Sequence, residues 1–256
     1  MTKPLSITDH LGLKLAAEFH KPAGPGPHPL VILLHGFSGR KEEGHIVSLA
    51  EALAKAGIAA LRFDASGSGE SEGTWAEHYR ASNYLADVAD VYDYAVANLP
   101  VDPTHIGIWG HSMGGLVALT AACRSPRRFV AACGSQPASG GKILSAAADE
   151  AWRKAGWTTY PSRAFGDIRL PYDYVLDRKN FDLPTEIAEL KMPLLLIGGI
   201  TDKSIPAESV RALFAAAPEP KTYLEYDVGH DYKHHPEILA KINADTLKFF
   251  KKYLLS

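Results

Sequence analysis

Near its middle the chain carries the stretch Ile106-Gly107-Ile108-Trp109-Gly110-His111-Ser112-Met113-Gly114-Gly115-Leu116-Val117, and this stretch decides the fold. The residues before Gly110 are mostly apolar and predict a buried strand, whereas the run after Met113 predicts a helix. Between the two, Gly110 and Gly114 flank Ser112 at the spacing Gly-x-Ser-x-Gly. A sharp strand-to-helix turn that presents a serine in this way is called a nucleophile elbow, and the stretch predicts one.

A nucleophile elbow has chemical consequences for its serine. The sharp turn is expected to hold Ser112 in a strained backbone conformation at the first turn of the helix. Free backbone N–H groups at that end of a helix favour developing negative charge. The alternative is a tight strand–helix turn with an incidental serine, but the strand before it and the helix after it favour the nucleophile.

A serine hydroxyl is a weak nucleophile until a base removes its proton, so a histidine and a carboxylate are expected farther along the chain. His230 follows the last predicted strand and is the predicted base, whereas its neighbours His234 and His235 are expected to be solvated. Asp202 follows a buried strand, before a helix, and is the predicted acid. Asp227 also follows a strand and remains the competing candidate.

Catalysis at a serine also needs hydrogen-bond donors for the oxyanion. The backbone N–H of Met113, the residue after the serine, is one predicted donor. The second is expected in the loop after the first long buried strand, where Phe37 is the predicted residue. His35 lies in the same loop and is expected to order it by hydrogen bonds, and His111 belongs to the elbow rather than to the predicted base–acid pair.

Strand and helix patterns alternate on both sides of the elbow. After an opening hairpin over Leu5–Thr8 and Leu13–Phe19, the predicted strands are Leu30–Leu34, Ile58–Phe63, His105–Trp109, Phe129–Cys133, Pro193–Ile197 and Thr222–Tyr226. The predicted helices are Ile46–Ala56, Leu85–Leu99, Met113–Cys123, Ser209–Ala217 and Pro236–Tyr253. This alternation predicts an α/β fold with a mainly parallel sheet and helices on both faces, in one domain over residues 1–256.

The alternation is interrupted between about residue 135 and residue 190, where no clear strand–helix unit occurs. Loops without structure that exceed about 12 to 15 residues are uncommon in compact domains unless they are functional. This segment is rich in Trp, Tyr and Pro. It therefore predicts an inserted cap with short helices of its own.

The composition is that of an ordinary globular protein, with 256 residues, 46% hydrophobic residues, 22% charged residues and a net charge of -2. A charge this close to zero gives no reason to expect nucleic acid or an anionic membrane as a partner. No apolar run approaches the roughly 20 residues of a membrane span. The first residues lack the apolar stretch of a signal peptide, and Cys123 and Cys133 are expected to be reduced, so a cytoplasmic location is expected.

The glycine-rich run Gly67-Ser68-Gly69-Glu70-Ser71 lacks the Gly-Lys-Ser/Thr ending of a phosphate-binding loop, and no helix is predicted to begin there. No His/Cys/Asp cluster in the sequence has the spacing of a zinc site. The sequence therefore predicts neither a metal nor a cofactor.

Three motifs together resemble a known family. They are His35-Gly36-Phe37-Ser38-Gly39, then Arg62-Phe63-Asp64 leading to Gly67-Ser68-Gly69-Glu70-Ser71, then Gly110-His111-Ser112-Met113-Gly114-Gly115. In this order they look like the cinnamoyl/feruloyl esterase branch of the α/β-hydrolases, which is similar to the serine aminopeptidase and monoacylglycerol lipase-like hydrolases. The resemblance covers nearly the whole chain outside the cap. It implies the α/β-hydrolase fold, with a mostly parallel eight-stranded sheet, helices on both faces and an inserted cap.

The resemblance also implies a set of site residues. It implies a catalytic triad and two oxyanion-hole donors, which are Ser112, Asp202 and His230 for the triad and Phe37 and Met113 for the donors. In such esterases the cap roofs the acyl pocket and meets the phenolic end of the substrate. The residues of this chain expected to bind substrate from the cap are Asp167, Tyr172 and Tyr174.

The activity that follows is that of a serine esterase, which hydrolyses a carboxylic ester through an acyl-serine intermediate without a cofactor. The implied partner is a small-molecule ester of a hydroxycinnamoyl acid, or of another small aromatic or short-chain acyl group. The same residues could instead act on a thioester, an amide or a C–C bond, and a non-catalytic ligand-binding protein on this fold is the remaining alternative. A homodimer is left open.

Overall fold

The computed structural model describes residues 2–140 and 145–255, and ten strands and eight α-helices lie in these ranges. The strands are β1 (Thr2–Thr8), β2 (Lys14–His20), β3 (His28–Leu34), β4 (Ala59–Phe63), β5 (Val101–His111), β6 (Ala131–Ser135), β7 (Trp157–Ser162), β8 (Gly166–Pro171), β9 (Leu194–Gly199) and β10 (Lys221–Tyr226). The helices are α1 (Gly44–Lys55), α2 (Ala81–Asn98), α3 (Met113–Arg124), α4 (Ala146–Ala155), α5 (Asp173–Arg178), α6 (Leu183–Glu186), α7 (Ala207–Ala216) and α8 (Pro236–Leu254).

Eight of the strands form one sheet, in the order β1-β2-β4-β3-β5-β6-β9-β10. β2 runs antiparallel to both of its neighbours, β1 and β4, and the other neighbouring pairs are parallel. Parallel neighbours need a crossover connection, which helices supply along most of the chain. The structure confirms the mostly parallel eight-stranded sheet expected from the sequence.

The side chains of β3 explain why the sheet is covered on both faces. Leu30, Ile32 and Leu34 belong to one hydrophobic core, together with α2, α3 and α7, whereas Val31 and Leu33 belong to a second core with α1 and α8. Successive side chains of a strand point to opposite faces, so a strand covered on both faces has a continuous apolar run. None of the helices in the described ranges is long and apolar enough to span a bilayer.

The parallel strands end at one edge of the sheet, and that edge carries the predicted site. Ser112 comes directly after β5, and the loop with Phe37 follows β3. Asp202 and His230 lie in the loops after β9 and β10, respectively. Open α/β sheets bind their ligands outside the carboxyl ends of the strands, so the topology alone collects these residues in a position suited to a ligand.

Between β6 and β9 the chain leaves the sheet and forms an insertion. It consists of α4, a hairpin of β7 and β8, and the short helices α5 and α6. The hairpin has no counterpart among the elements predicted from sequence. Most of its side chains are exposed, so no apolar run marks its strands. Residues 141–144 of the predicted cap lie outside the described residues.

Asp87 on α2 is fully buried and makes stability depend on pH. Its Oδ2 accepts a hydrogen bond of 2.8 Å from the Ser66 N–H, whereas its Oδ1 has no partner among the described residues. Burial disfavours the carboxylate and raises the pKa of Asp87 from 3.8 to about 7, and the Ser66 bond opposes this change. The folded protein therefore binds more protons than the unfolded protein between about pH 4 and about pH 7.

We expect Asp87→Asn to stabilise the protein most at alkaline pH. Below about pH 4 Asp87 is protonated in both states, and its ionisation removes stability progressively as the pH rises to about 7. The difference between the folded and unfolded pKa of Asp87 corresponds to a loss of at most about 4 kcal/mol in the free energy of unfolding. The neutral amide of asparagine avoids this loss, and its oxygen can still accept the hydrogen bond from the Ser66 N–H. Urea unfolding should give a gain in the free energy of unfolding that is larger at pH 8 than at pH 5.

Asp93 on the same helix is the matched control. Its exposed carboxylate pairs with Arg127, and that hydrogen bond lowers the pKa of Asp93. Asp93→Asn should therefore lose a little stability at pH 8, which is the opposite sign. Equal changes in the two variants, or a gain for Asp87→Asn that does not grow with pH, would contradict the role given to ionisation of Asp87.

Candidate active site

Three side chains at the sheet edge form one hydrogen-bonded chain. Ser112 Oγ–H donates to His230 Nε2 at 2.9 Å, and His230 Nδ1–H donates to Asp202 Oδ2 at 2.7 Å. A carboxylate only accepts, so the Asp202 contact keeps the imidazole proton on Nδ1 and leaves Nε2 able to accept from the serine. The structure thus brings three predicted residues together from three separate loops, with the His230 imidazole in hydrogen-bond contact with the Ser112 hydroxyl.

Ser112 lies in a strained backbone conformation, with φ 56° and ψ -117°. Residues other than glycine rarely adopt a positive φ. Two glycines make the turn possible, because a Cβ on Gly110 would lie 2.0 Å from the Gly114 carbonyl oxygen. A Cβ on Gly114 would lie 2.4 Å from the His35 carbonyl oxygen. The strained turn expected at the elbow is therefore present, and its neighbours leave no room for side chains at either glycine.

Asp202 is held in place through its second carboxylate oxygen. Oδ1 accepts backbone N–H bonds from Ser204 and Ile205, at 2.7 Å and 2.9 Å. The side chain is fully buried, so these bonds replace the water that an ionised carboxylate needs. The competing acid, Asp227, is exposed to solvent, and His230 bonds Asp202 instead.

A second layer of side chains lies behind His230. The His111 ring packs against the His230 ring with centroids 4.8 Å apart, and His111 Nε2 bonds Gln136 Oε1 at 3.3 Å. Gln136 Nε2 donates in turn to the Gly229 carbonyl oxygen at 3.0 Å. Burial lowers the pKa of His111 well below its usual range, which favours the neutral ring. Sequence reasoning missed Gln136, because a lone glutamine after a strand carries no pattern.

Phe37 and Met113 line the cavity into which the elbow serine opens. Met113 is the first residue of α3, where backbone N–H groups have no acceptor within the helix. The loop with Phe37 is fixed by His35, whose Nδ1–H donates to the Gly36 carbonyl oxygen at 2.8 Å. His35 Nε2 accepts from the Ala65 N–H at 3.1 Å. His35 therefore orders this loop, as its place in the sequence suggested.

A cavity of about 650 Å³ opens at Ser112, and the insertion supplies much of its wall. The wall is mostly apolar and includes one charged side chain, Arg178. Its larger uncharged side chains include Phe37, Met113, Trp152, Trp157, Tyr160 and Tyr174. The Tyr174 Oη–H donates to Met113 Sδ at 3.3 Å, which ties the insertion to the elbow. Concave, mainly apolar sites of this size are typical of small-molecule binding.

Among the described residues, only one of the three predicted cap residues lies on the wall of this cavity, and it is Tyr174. Asp167 is exposed, because it alternates along β8 with the buried Ile168. Tyr172 donates its hydroxyl to Asp149 Oδ1 at 3.1 Å. The structure therefore does not place Asp167 or Tyr172 against a ligand at Ser112.

A second cavity, of about 690 Å³, meets the first at Ser112 and has a different character. Charged side chains contribute to its wall, among them Arg40, Glu43 and Lys233. Among the described residues, His230 lines the second cavity and not the first. The imidazole is therefore accessible from the polar side of the site.

The glycine-rich run at residues 67–71 lies beside a buried lysine, Lys41, which contacts Glu70 of the run. Asp64 Oδ1 accepts from the Lys41 N–H at 2.6 Å, and Asp64 Oδ2 accepts from the Glu70 N–H at 2.9 Å. The Lys41 ammonium bonds Asp64 Oδ2 at 3.2 Å and also pairs with Glu70. The Lys41 ammonium therefore already pairs with the carboxylates of Asp64 and Glu70. The glycine-rich run has a structural role.

Two clusters in the described residues have the composition of a metal site. One is Glu42, Asp64 and Glu70, whose carboxylates all pair with the Lys41 ammonium. In the other, Asp9, His10 and Asp87 each bring one potential ligand atom within 4.8 Å of the others. The His10 ring bonds Asp90 Oδ2 at 3.0 Å. None of these residues lines either cavity at Ser112, within the part of the chain that the structure describes. Both clusters therefore lie apart from the site.

Comparison with protein families gives a match that includes the elbow. The family described as serine aminopeptidase, S33, matches residues 25–180. The chain belongs to this family. The match extends from the strand before the Phe37 loop, through the Ser112 elbow of this S33 chain, to the end of α5 in the insertion.

Relatives of the S33 chain include an Escherichia coli protein of 31.7 kDa from the traX-finO intergenic region, which is 25% identical over 291 residues. That match covers 98% of this chain and 100% of the relative. The thiohydrolase AneE of Aspergillus aculeatus is 34% identical over 116 residues, which are 45% of this chain and 36% of that protein.

Solved structures similar to the S33 chain include Est1E from Butyrivibrio proteoclasticus with ferulic acid bound, at 26% identity and a TM-score of 0.82. The match covers 98% of this chain and 100% of that one. A structure of DcsB with a substrate analogue has a TM-score of 0.84 at 19% identity, a likeness of fold. These similarities confirm the α/β-hydrolase fold and the feruloyl esterase-like branch. The S33 chain is an α/β hydrolase of the serine hydrolase type.

Proposed function

We propose that this protein hydrolyses carboxylic esters through an acyl-Ser112 intermediate. The observation that carries the proposal is the hydrogen-bonded chain from Ser112 through His230 to the buried Asp202. These three residues act as the catalytic triad, and the N–H groups of Phe37 and Met113 act as the oxyanion donors. The substrate is a small molecule, and the residues named supply the whole reaction.

In the first half of the reaction Ser112 Oγ attacks the ester carbonyl carbon while its proton passes to His230 Nε2. The carbonyl oxygen becomes an oxyanion, which the N–H groups of Phe37 and Met113 stabilise more strongly than the neutral carbonyl. The imidazolium that forms lies beside the Asp202 carboxylate, which stabilises the positive charge without taking the proton.

His230 then returns the proton to the leaving alcohol, and this requirement fixes where each half of the ester lies. A general acid acts only within hydrogen-bond reach, so the alcohol occupies the second cavity, which His230 lines. The acyl group occupies the first cavity, beside Phe37 and Met113. Water from the second cavity then attacks the acyl carbonyl carbon while its proton passes to His230 Nε2. The bond to Ser112 Oγ breaks, His230 returns the proton to Oγ, and the carboxylic acid is released.

The aromatic wall of the first cavity favours a small aromatic acyl group. The Phe37 and Tyr174 rings lie 5.5 Å apart, and the Trp152 and Tyr174 rings stack at 6.3 Å, so ring faces and edges are both available. The ferulic acid bound to Est1E supports a hydroxycinnamoyl ester as one such substrate. A thioester is the second candidate, because the thiohydrolase AneE is 34% identical over the segment it shares with this chain.

Trapping of the acyl-enzyme tests this proposal. Mixing the wild-type protein with excess p-nitrophenyl butyrate should release a rapid burst of p-nitrophenol before slower turnover. Mass spectrometry of the quenched protein should find the butyryl group on the peptide that contains Ser112. Butyrylation of a different residue, or turnover during which no acylated Ser112 forms, would overturn the proposal.

Rates on matched substrates then rank the acyl groups. We expect kcat/KM to be higher for methyl ferulate than for methyl hexanoate, because a flat ring contacts the aromatic wall more fully. Equal values would make the protein a general esterase. A larger kcat/KM for the corresponding thioester would favour the second candidate.

A further inference from the structure

Arg178, the last residue of α5, lines the acyl cavity and is only 3% exposed. Its Nε is buried without a hydrogen-bond partner, and no ion pair among the described residues includes Arg178. Arginine is almost never buried unless it is paired, because removing a charge from water is costly. An arginine that is almost fully buried, forms no ion pair among the described residues and lines a substrate cavity therefore calls for an anionic ligand.

The short helix α5 places Arg178 on the same side as Tyr174. The two residues are four positions apart, about one helical turn, and both are buried and line the cavity. Tyr174 in turn bonds Met113 Sδ at 3.3 Å, next to the elbow. The wall of the cavity therefore includes Met113, Tyr174 and Arg178.

The carboxylate next to Arg178 in the chain is engaged elsewhere. Asp177 Oδ2 accepts from the Ser82 backbone N–H, in the first turn of α2, at 3.1 Å. The charge of Arg178 acts on the cavity wall instead. Burial raises the pKa of Tyr174 to about 12, and the positive charge of Arg178 opposes this rise.

We propose that Arg178 binds a carboxylate at the far end of the acyl group, so that monoesters of dicarboxylic acids are preferred over esters of equal acyl length that end in a methyl group. The inference rests on the proposed function, which assigns the acyl half to this cavity. A guanidinium binds a carboxylate through two parallel charge-assisted hydrogen bonds. Such an acyl group supplies acceptors for the guanidinium and neutralises its charge, whereas a methyl-ended chain leaves that charge uncompensated.

The test compares esters of equal acyl length that differ only at the far end. The pairs are p-nitrophenyl hydrogen adipate with p-nitrophenyl hexanoate, and p-nitrophenyl hydrogen suberate with p-nitrophenyl octanoate. The acid preference is kcat/KM for the acid-ended ester divided by kcat/KM for its partner. In the wild type we expect a preference of about tenfold or more in at least one pair, the size of one charged hydrogen bond.

Substitutions at Arg178 should change this preference in a graded way. Arg178→Met keeps the apolar stem without the charge and should lower the acid preference at least about tenfold. Arg178→Lys keeps a charge but not the planar fork, so it should recover part of the preference. Arg153→Met is the matched control, because Arg153 is an exposed arginine of the insertion that pairs with Glu150. Its acid preference should equal that of the wild type.

Two outcomes would overturn the proposal. One is a wild-type preference for the neutral ester in both pairs. The other is the same acid preference in Arg178→Met and Arg153→Met, with thermal unfolding used to establish that both variants are folded.

Binding can also be measured without catalysis, in the Ser112→Ala variant. Monomethyl suberate should raise its melting temperature, and the rise should be absent from the Ser112→Ala/Arg178→Met double variant. A wild type that hydrolyses neither member of a pair, together with this Arg178-dependent rise, would overturn the proposed function and leave the anion subsite intact. Hydrolysis of both esters at equal kcat/KM, with no rise in melting temperature on addition of monomethyl suberate, would overturn the anion subsite and leave the proposed function intact.

Discussion

Replacing Ser112 with alanine is expected to lower kcat on p-nitrophenyl butyrate by a factor of about 10⁶. In the proposed mechanism Oγ is the atom that forms the acyl bond. In the described part of the chain, no other hydroxyl lies within hydrogen-bond distance of His230 Nε2. Steady-state turnover, corrected for uncatalysed hydrolysis of the ester, measures the loss. Labelling by a fluorophosphonate should disappear in the same variant.

A glycine at the same position separates the catalytic role from the backbone role. Glycine adopts the positive φ of Ser112 without steric cost, whereas alanine keeps the strain. We therefore expect Ser112→Gly to be about as inactive as Ser112→Ala but more stable by about 1 kcal/mol in urea unfolding. Activity above background in both variants would contradict the assignment of the nucleophile. Equal stability of Ser112→Gly and Ser112→Ala would contradict the inference that the backbone at this position is strained.

Asp202→Asn is expected to lower kcat by a factor of about 10⁴ without unfolding the protein. The amide of asparagine can donate to His230 Nδ1, which moves the imidazole proton to Nε2. That nitrogen then cannot accept the proton of Ser112, although the ring stays in place. The rate of fluorophosphonate labelling should fall with kcat, because both depend on the activated serine.

Asp227→Asn is the matched control for Asp202→Asn. Asp227 follows the neighbouring strand and is exposed, whereas Asp202 Oδ2 lies 2.7 Å from His230 Nδ1. The Asp227 variant should therefore keep kcat close to the wild-type value. The reverse pattern, with a large loss for Asp227→Asn and a small one for Asp202→Asn, would transfer the acid role to Asp227.

The sheet was predictable because its strands are buried on both faces. β3 has a continuous apolar run, and β5 leads directly into the elbow, so the type and order of these strands follow from local pattern. Element boundaries that depend on contacts distant in sequence could not be predicted from local pattern. α2 begins at Ala81 rather than Leu85, and Asp177 of the insertion satisfies the Ser82 N–H in its first turn.

The reacting residues were predictable for a topological reason. Ser112, Asp202 and His230 each follow a strand, and parallel strands bring the residues after them to one edge of the sheet. Their order along the chain was therefore enough to expect them close together.

In the insertion, the order of residues along the chain did not predict which side chains line the cavity. By residue type Asp167 and Tyr172 are as suitable for ligand contact as Tyr174, but tertiary packing alone turns Tyr174 towards the cavity. Arg178 is equally hidden in the sequence, where a charge on a short helix is typical of a solvated surface. Its burial against the cavity wall is what distinguishes it.

The insertion forms much of the wall of the first cavity, which we assign to the acyl group, whereas Ser112, Asp202 and His230 lie on loops that follow strands of the sheet. The two parts can therefore diverge independently during evolution. Under the proposed function, changes at Trp152 or Trp157, which line the first cavity and not the second among the described residues, should alter which acyl chains bind without contacting Ser112 or His230. A related protein that keeps the sheet but has a different insertion should therefore keep the reaction and differ in the acyl groups that it accepts.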